Sequence, residues 1–580
     1  MTKKHKLLLF AIVFFAIFFR FYLITEMPGG LFPDEAANGL DINSMQSGQL
    51  QPFYERGNGR EALFFYLLWG SVELFGKGAW QHHIVSGLIG VLSVVICYFA
   101  TRKLFSLNYK NDQQTKEDVL VSDKRASIIA LLSAFFMAVS SWHIVLSRTA
   151  FRANLIPLFA TLVVFFFLKT FEAYKLNLSW KKILMYSGLT GAAFALGFYT
   201  YIAYRILVLI FGVALFWPLC VSTAQTGFIN TLKKYKISIA GFLLSFVVFF
   251  YPLFNYFYTH PGSFVGRSGQ VSVFNVDLNQ GNLPAAIGTV AYLSIRAYFI
   301  DGDLNWRHNI SGWPFLSELI SPFFGIGLVI VTLLAAVYMI RPKSQAGFWK
   351  YFLLAGWFWG MLLPVITTAE GIPHGLRSIG TIPPVFIISG WAVYWFAHYM
   401  HLVHKKFWHR CEKCHDQHYE SISFVFRKTL STFAIKFTAI CFFAALILQS
   451  YIGYFVYAYN SPENFYAFRS DLTTVSDYLK IRCLKDSTYL VLDKFSVQTI
   501  DYVTSDPNGD FTKPCSVPYK QVDPEDSWKL TDLKFGDEII FAQSSIFDIK
   551  KFKDFHPNIR LVYEARNKFG QAITAVYRVE

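Results

Sequence analysis

Residues 1–39 read MTKKHKLLLFAIVFFAIFFRFYLITEMPGGLFPDEAANG. A basic hexapeptide leads into the apolar run Leu7–Phe19, then Arg20-Phe21-Tyr22. A basic start and an apolar stretch also open a secretory signal, but no small-residue cleavage site follows here. The expectation is an uncleaved first membrane helix with its N-terminus in the cytoplasm. Directly after it stand two adjacent acids, Asp34 and Glu35.

The same apolar signal recurs at 83–101, 127–142, 154–171, 183–199, 205–221, 237–257, 318–340, 349–368, 379–397 and 433–457. With the first run this predicts about eleven spans, each near the roughly 20 residues that a bilayer core demands. Basic residues fall on alternate loops: Arg102 to Arg125, Lys175 to Lys182, Lys233 to Lys236, Arg341 to Lys350, and Lys405 to Lys428. That alternation follows the positive-inside rule and sets the intervening loops outside. Segments 61–76 and 284–300 are short or charge-broken and read as helices at the membrane surface.

Composition agrees. Of 580 residues, 54% are hydrophobic, 18% aromatic and only 16% charged, and the mean hydropathy is +0.37. Soluble domains carry about 25% charged residues, so a cytosolic enzyme and a disordered chain are both excluded. The net charge of +15 fits cytoplasmic loops facing anionic lipid, and no nucleic-acid partner is expected. Seven cysteines do not make a disulfide scaffold.

Beyond about residue 460 the chain turns polar, with short β-rich runs at Tyr489–Leu492, Glu538–Ala542, Arg560–Tyr563 and Ala572–Val579. Helices are expected over Phe465–Ile481 and Ile546–Phe555. The predicted fold class is thus mainly α: a polytopic helical membrane domain (1–459) followed by a small extracytoplasmic α/β domain (460–580). Cys483 and Cys515, the cysteines of that second domain, form a disulfide if their geometry allows.

Chemistry concentrates in the outward loops. Asp34 and Glu35 suit a general base, a metal ligand, or simply the acidic first turn of a helix. Glu61 heads an apolar segment, where an unpaired acid is costly. It is a substrate contact or the partner of Arg60 or Arg56. Arg148, Arg152, Arg205, Arg267, Arg307 and Arg377 stand singly beside aromatics, glycines or histidines, among them Tyr201, His308 and His374. Arginine is the usual bidentate partner of phosphate, although one arginine at a helix end also snorkels to headgroups. Several facing a pair of acids suit an anionic, phosphate-bearing substrate and a carboxylate base. The run 398–418 is rich in histidine and holds Cys411-Glu412-Lys413-Cys414-His415, the spacing of a haem attachment or part of a zinc site. Its predicted cytoplasmic side disfavours haem, and a basic amphipathic loop without metal is preferred. No P-loop, dinucleotide fingerprint or nucleophile elbow appears in a fitting context.

These loops resemble those of the GT-C superfamily of membrane glycosyltransferases. More specifically they resemble glycosyltransferase family 39, related to protein O-mannosyltransferases and lipid A aminoarabinose transferases. The stretches that carry the resemblance are Asp34-Glu35, NGREALFFYL (58–67), SRTAFR (147–152), GFYTY (197–201) leading to Arg205, HPGSFVGRSGQVSVF (260–274), GDLNWRHNISGWPFL (302–316) and EGIPHGLRSIGTIPP (370–384). The family often has proline where Ala62 stands. The resemblance implies inverting transfer of a sugar from a polyprenyl-phosphate carrier to a hydroxyl acceptor (protein, lipid or glycan) at the outer face. It implies Asp34 as general base or acceptor-orienting residue, Glu35 in support of it or in substrate binding, and Glu61 near the sugar or acceptor. Arg377 with His374 would meet the carrier phosphate, with Arg148, Arg152, Arg205 and Arg307 in secondary roles. No cofactor is implied, and the resemblance leaves a metal requirement open. A transporter, flippase or binding protein for lipid-linked sugars is the competing reading.

Overall fold

The computed structural model describes residues 2–57, 59–107, 116–265, 271–341, 345–414, 422–481, 487–505 and 519–580. The first apolar run forms α1 (Lys3–Phe21), opened by Thr2, whose hydroxyl accepts from the His5 N–H. Pro33 then starts α2 (Pro33–Gln46), with Asp34 and Glu35 in its first turn. A two-residue ladder, β1 (Phe53–Tyr54) against β2 (Arg60–Glu61), pairs Phe53 with Glu61 and Tyr54 with Arg60. It leads to α3 (Leu63–Phe75).

The bundle continues with α4 (Ala79–Ser106), α5 (Lys116–Val139), the short α6 (Ser141–Leu146), α7 (Leu155–Lys175), α8 (Trp180–Gly197), α9 (Leu207–Thr226) and α10 (Phe228–Thr259). Two short pieces, α11 (Pro261–Val265) and α12 (Val276–Asn279), precede α13 (Leu283–Arg296). Then follow α14 (Ser321–Ile340), α15 (Gln345–Ile366), α16 (Ile382–Cys414) and α17 (Ile422–Tyr451). Every one of the eleven apolar runs is helical. Eight helical stretches are long and apolar enough to cross a membrane. The runs in α1, α5 and α8 fall outside that set, so among the described residues the expected count of about eleven spans is not confirmed. Helix α1 is broken by Lys3, Lys4, Lys6 and Arg20, and α8 is a bare 18 residues. Segments 61–76 and 284–300 become the shorter apolar helices α3 and α13.

Neighbouring helices bury their apolar faces on one another around one continuous core that includes Phe19, Tyr98, Phe136, Trp142, Tyr204, Trp357 and Phe386. By contrast α10 and α17 leave most of their apolar surface uncovered, as a lipid-facing helix must.

The C-terminal part holds α18 (Pro462–Ala467), α19 (Ser470–Ile481), β3 (Thr488–Val491), α20 (Lys494–Thr504), β4 (Tyr519–Val522), β5 (Glu538–Ala542), α21 (Ile549–Phe555), β6 (Ile559–Arg566) and β7 (Ala572–Val579). The sheet order is β4-β3-β5-β7-β6, with β3 parallel to β4 and β5, and β7 antiparallel to β5 and β6. Strands β3 and β5 are buried along their whole length, which is why YLV after Thr488 and IIFA after Glu538 do not alternate. Leu472, Leu479 and Ile500 from α19 and α20 cover one face; Phe552 of α21 covers the other. The helix expected over Phe465–Ile481 is split in two at Arg469, whose positive φ of 55° ends one turn and redirects the chain. Cys483 and Cys515 lie outside the described residues, as do the side chains of Cys411 and Cys414.

Candidate active site

The loops that carry the sequence signals meet at one end of the bundle, and 147–152 (SRTAFR) is the floor on which they are assembled. Arg148 points down. Its guanidinium is fully buried and donates to the carbonyls of Phe19, at 3.2 Å, and Met27, and to the Tyr454 hydroxyl at 3.1 Å. It was expected among the substrate-facing arginines; instead its donors tie the floor to α1 and the end of α17. Thr149 donates to the Arg307 carbonyl at 3.2 Å. Ala150 donates its N–H to Glu35 Oε1 at 2.6 Å, and its carbonyl accepts from Asn38 at 3.3 Å.

Glu35 is therefore a strut. Its second oxygen accepts from the Phe32 N–H at 3.0 Å, closing the first turn of α2 on itself, and His83 Nε2 stands 3.3 Å from the first. Burial opposes the charged form, but His83 and the two backbone donors outweigh it and hold the carboxyl below the usual carboxylate range.

Asp34, one residue earlier on the same turn, faces the other way. Its side chain is 59% exposed, and Oδ2 lies 3.8 Å from Nη1 of Arg307, which is only 15% exposed. The Arg307 guanidinium lies over the Phe32 ring, 3.5 Å from its centroid. Burial lowers the Arg307 pKa, while Asp34, Glu35 and Asp303 oppose the shift. The outcome is a desolvated cation with one flank on an aromatic and the other beside an open carboxylate.

A second constellation adjoins through the β1–β2 ladder. Glu61 is buried, with Arg152 Nε at 3.2 Å from Oε2 and Arg205 Nη2 at 3.6 Å from Oε1. Arg152 also lies over the Tyr201 ring at 5.1 Å, and Arg205 donates to the Phe264 carbonyl at 2.6 Å. Two guanidiniums on one carboxylate leave a local positive excess. Arg60 turns inward to Asn38 Oδ1 (2.7 Å) and the Arg56 carbonyl (2.9 Å), and burial brings its pKa down to about 10. Asp41 supports it at 3.9 Å while taking Arg56 at 2.9 Å. Burial raises the Asp41 pKa, and the two arginines oppose that rise.

The third wall joins 303–308 to 370–377. Asp303 Oδ2 accepts from His308 Nδ1 at 2.8 Å and from the Gly375 N–H at 2.7 Å. His374 stacks on His308 with ring centroids 4.6 Å apart. Trp142 fixes both loops from beneath: it stacks on Phe315 at 4.5 Å and donates to the Gly375 carbonyl at 3.2 Å. Arg377 holds Glu370 by its carbonyl (2.6 Å) and carboxylate (3.1 Å), and Thr368 (3.2 Å). The Glu370 side chain is 52% exposed, whereas that of Arg377 is only 11% exposed. Asp303, His308 and His374 offer ligand atoms all within 4.8 Å of one another, spacing suited to a metal ion. Arg267 lies outside the described residues.

Sequence reasoning thus singled out Asp34, Glu35, Glu61 and the arginines, but not several of the residues that hold them in place. Asp303 stood inside GDLNWRH without being singled out. His83 and Phe32 carried no signal beyond their type. The floor could have been suspected from Arg148 and Arg152 flanking Thr-Ala-Phe, four apart and both costly near a membrane.

No protein-family model and no curated protein sequence matches this chain. Its likeness is to solved structures. At the low identity of these matches the likeness is one of fold alone. ArnT from Cupriavidus metallidurans, solved bound to undecaprenyl phosphate, superposes with a TM-score of 0.52 at 14% identity, covering 99% of this chain and 98% of that one. The Archaeoglobus fulgidus oligosaccharyltransferase, tethered to an acceptor peptide, gives 0.49 at 11% identity over 99% and 74% of the two chains.

Proposed function

We propose that this chain is an inverting glycosyltransferase that moves a sugar from a polyprenyl-phosphate carrier to a hydroxyl acceptor at the outer face of the membrane. Residues 1–459 would carry the reaction, with 460–580 on the outer side. The observation that supports it most is the open Asp34 carboxylate 3.8 Å from the desolvated Arg307 guanidinium. The solved ArnT complex with undecaprenyl phosphate, which shares this fold, supports a lipid-linked donor.

In this reading the acceptor hydroxyl attacks the anomeric carbon from the face opposite the phosphate. Asp34 takes the hydroxyl proton as the new carbon–oxygen bond forms. The bond from the anomeric carbon to the phosphate oxygen breaks, and its electron pair leaves with polyprenyl phosphate. Fixed guanidiniums stabilise that growing charge without reorganising, the larger part of such catalysis. Arg377 and His374 are assigned to the carrier phosphate, and Arg307 to the charge beside the base. Arg152 and Arg205, clustered on Glu61 with Tyr201, are assigned to sugar or acceptor. His308 holds its loop through Asp303. No metal is assigned a step.

The test is transfer by the purified chain in lipid, over a panel of polyprenyl-phosphate sugars, wild type against Asp34→Asn. Released polyprenyl phosphate that depends on Asp34 supports the reading. Carrier binding without cleavage, with every acceptor offered, would move the assignment to a transporter or binding protein for lipid-linked sugars.

A further inference from the structure

Among the described residues, the C-terminal part packs on α2, the helix that carries Asp34, through helix α20. Helix α20 runs along α2 from end to end. At its start the Phe495 ring meets Phe32 edge-on, centroids 5.8 Å apart and planes at 64°. One turn on, the Thr499 hydroxyl donates to the Leu31 carbonyl at 3.1 Å. Next, Tyr502 fills the place where residue 39 lacks a Cβ. At the end, the Ser505 hydroxyl accepts from Asn43 at 3.0 Å and from Lys77 at 2.8 Å. Gly30 lies so close to the backbone of 468–470 that a side chain there would collide with it. The contact is thus a built interface whose register is set at four points.

Its active end is Phe32. One side of that ring carries Arg307 at 3.5 Å from the centroid, and Phe495 packs against it at its edge. A cation placed on a ring is located only as well as the ring is. Phe32 precedes the first turn of α2, where the backbone is extended, so packing must fix its side chain. We propose that Phe495 is a positioning residue: through Phe32 it sets where Arg307 stands relative to Asp34, and the C-terminal part thereby belongs to the catalytic machinery. The inference rests on the reading of Asp34 and Arg307 as the reacting pair.

Two readouts on the full chain in nanodiscs test it, one of them independent of turnover. First, Asp34→Cys places a thiol beside Arg307, and alkylation of the peptide bearing position 34 is followed by mass spectrometry against pH. A nearby guanidinium favours the thiolate. Adding Phe495→Ala is expected to raise the pH midpoint and slow alkylation at neutral pH about threefold, with Phe495→Tyr restoring it. Second, in the otherwise wild-type chain, Phe495→Ala is expected to lower kcat about tenfold at unchanged KM. If Phe495→Ala does not fold, Phe32→Leu removes the ring but keeps apolar bulk, and the same shift is expected. An alkylation profile unmoved by either variant overturns the proposal. A shifted profile in a protein whose wild type transfers no sugar supports the positioning and overturns only the transferase reading.

Discussion

Asp34 Oδ2 and Arg307 Nη1 stand 3.8 Å apart, one on the first turn of α2 and the other on the loop before α14. Nothing in the chain between them is local. The pair exists because Glu35 and Thr149 pull α2 and the 303–308 loop onto the same floor. Asp34→Asn keeps the shape and removes the base. Transfer is expected to fall by about 10²–10⁴-fold with carrier binding retained, measured as kcat and as carrier affinity. Because the side chain is largely exposed, the melting temperature should stay within a degree or two of wild type.

Arg307→Lys keeps a charge but loses the flat guanidinium that Phe32 supports. A point charge on a flexible stem does not reproduce that geometry. Transfer is expected to drop about 10²-fold, close to the loss seen when one preorganised donor is removed. Equal activity in wild type and Arg307→Lys would remove the stacked cation from the mechanism.

Glu35 gives a pH dependence with a defined sign. Its folded pKa lies below the ordinary 4.5, so between the two values the unfolded chain binds more protons. The stability it contributes is fully present above about pH 4.5 and is lost as pH falls through the lowered folded value. Glu35→Gln should flatten that acid limb. At pH 7 it should cost about 1–3 kcal/mol, because a buried backbone donor loses a charged acceptor. Thermal unfolding in nanodiscs between pH 3 and 7 measures both.

Asp303 separates a structural from a metal role for its loop. Its Oδ2 is already engaged by His308 and the Gly375 N–H. With these hydrogen bonds closing the group, transfer is expected to survive chelation by EDTA. Activity lost on chelation and restored by a divalent cation would place a metal on Asp303, His308 and His374 instead.

What could be read in advance follows from the range of the forces involved. Apolar runs are local, so the long apolar helices of the bundle were legible, while the short α11 and α12 were not. Asp34, Glu61, Arg152, Arg205 and Arg307 were legible because a charge at a membrane boundary requires a reason. Their partners were not. That Glu61 pairs with Arg152 and Arg205, and not with Arg60, depends on the β1–β2 register, which turns Arg60 toward Asn38. Arg148 and Arg152 are alike in sequence but face opposite sides of the floor. In the C-terminal part four of the five strands showed their β-rich composition, but β4 was missed and α20 passed unnoticed, since KFSVQTIDYVT mixes β-branched and polar residues in a helix held by packing. Its Asp493 cap, accepting from the Ser496 N–H at 2.9 Å, was the available signal.

Gly39 tests the α2–α20 interface by reversing an ordinary expectation. It sits inside a helix at no unusual φ, where Gly→Ala normally stabilises by about 0.5–1 kcal/mol. Here the new methyl would fall on the far edge of the Tyr502 ring. That ring cannot step aside: it is fully buried, packs edge-on against His82 with centroids 5.2 Å apart, and has Lys77 Nζ 5.3 Å over it. Overpacking a rigid site costs about 1–3 kcal/mol, so Gly39→Ala is expected to be net destabilising. Tyr502→Val opens the space and has its own cost, since the large side chain is lost from a filled site. In the double variant the methyl should regain its helix benefit. The thermodynamic cycle should then show a favourable coupling of about 1–3 kcal/mol between the two substitutions. Additive effects would mean that α20 does not press on α2 at this point, and the link from the C-terminal part to Asp34 would have to run through its other contacts, among them Phe32, Leu31 and Asn43.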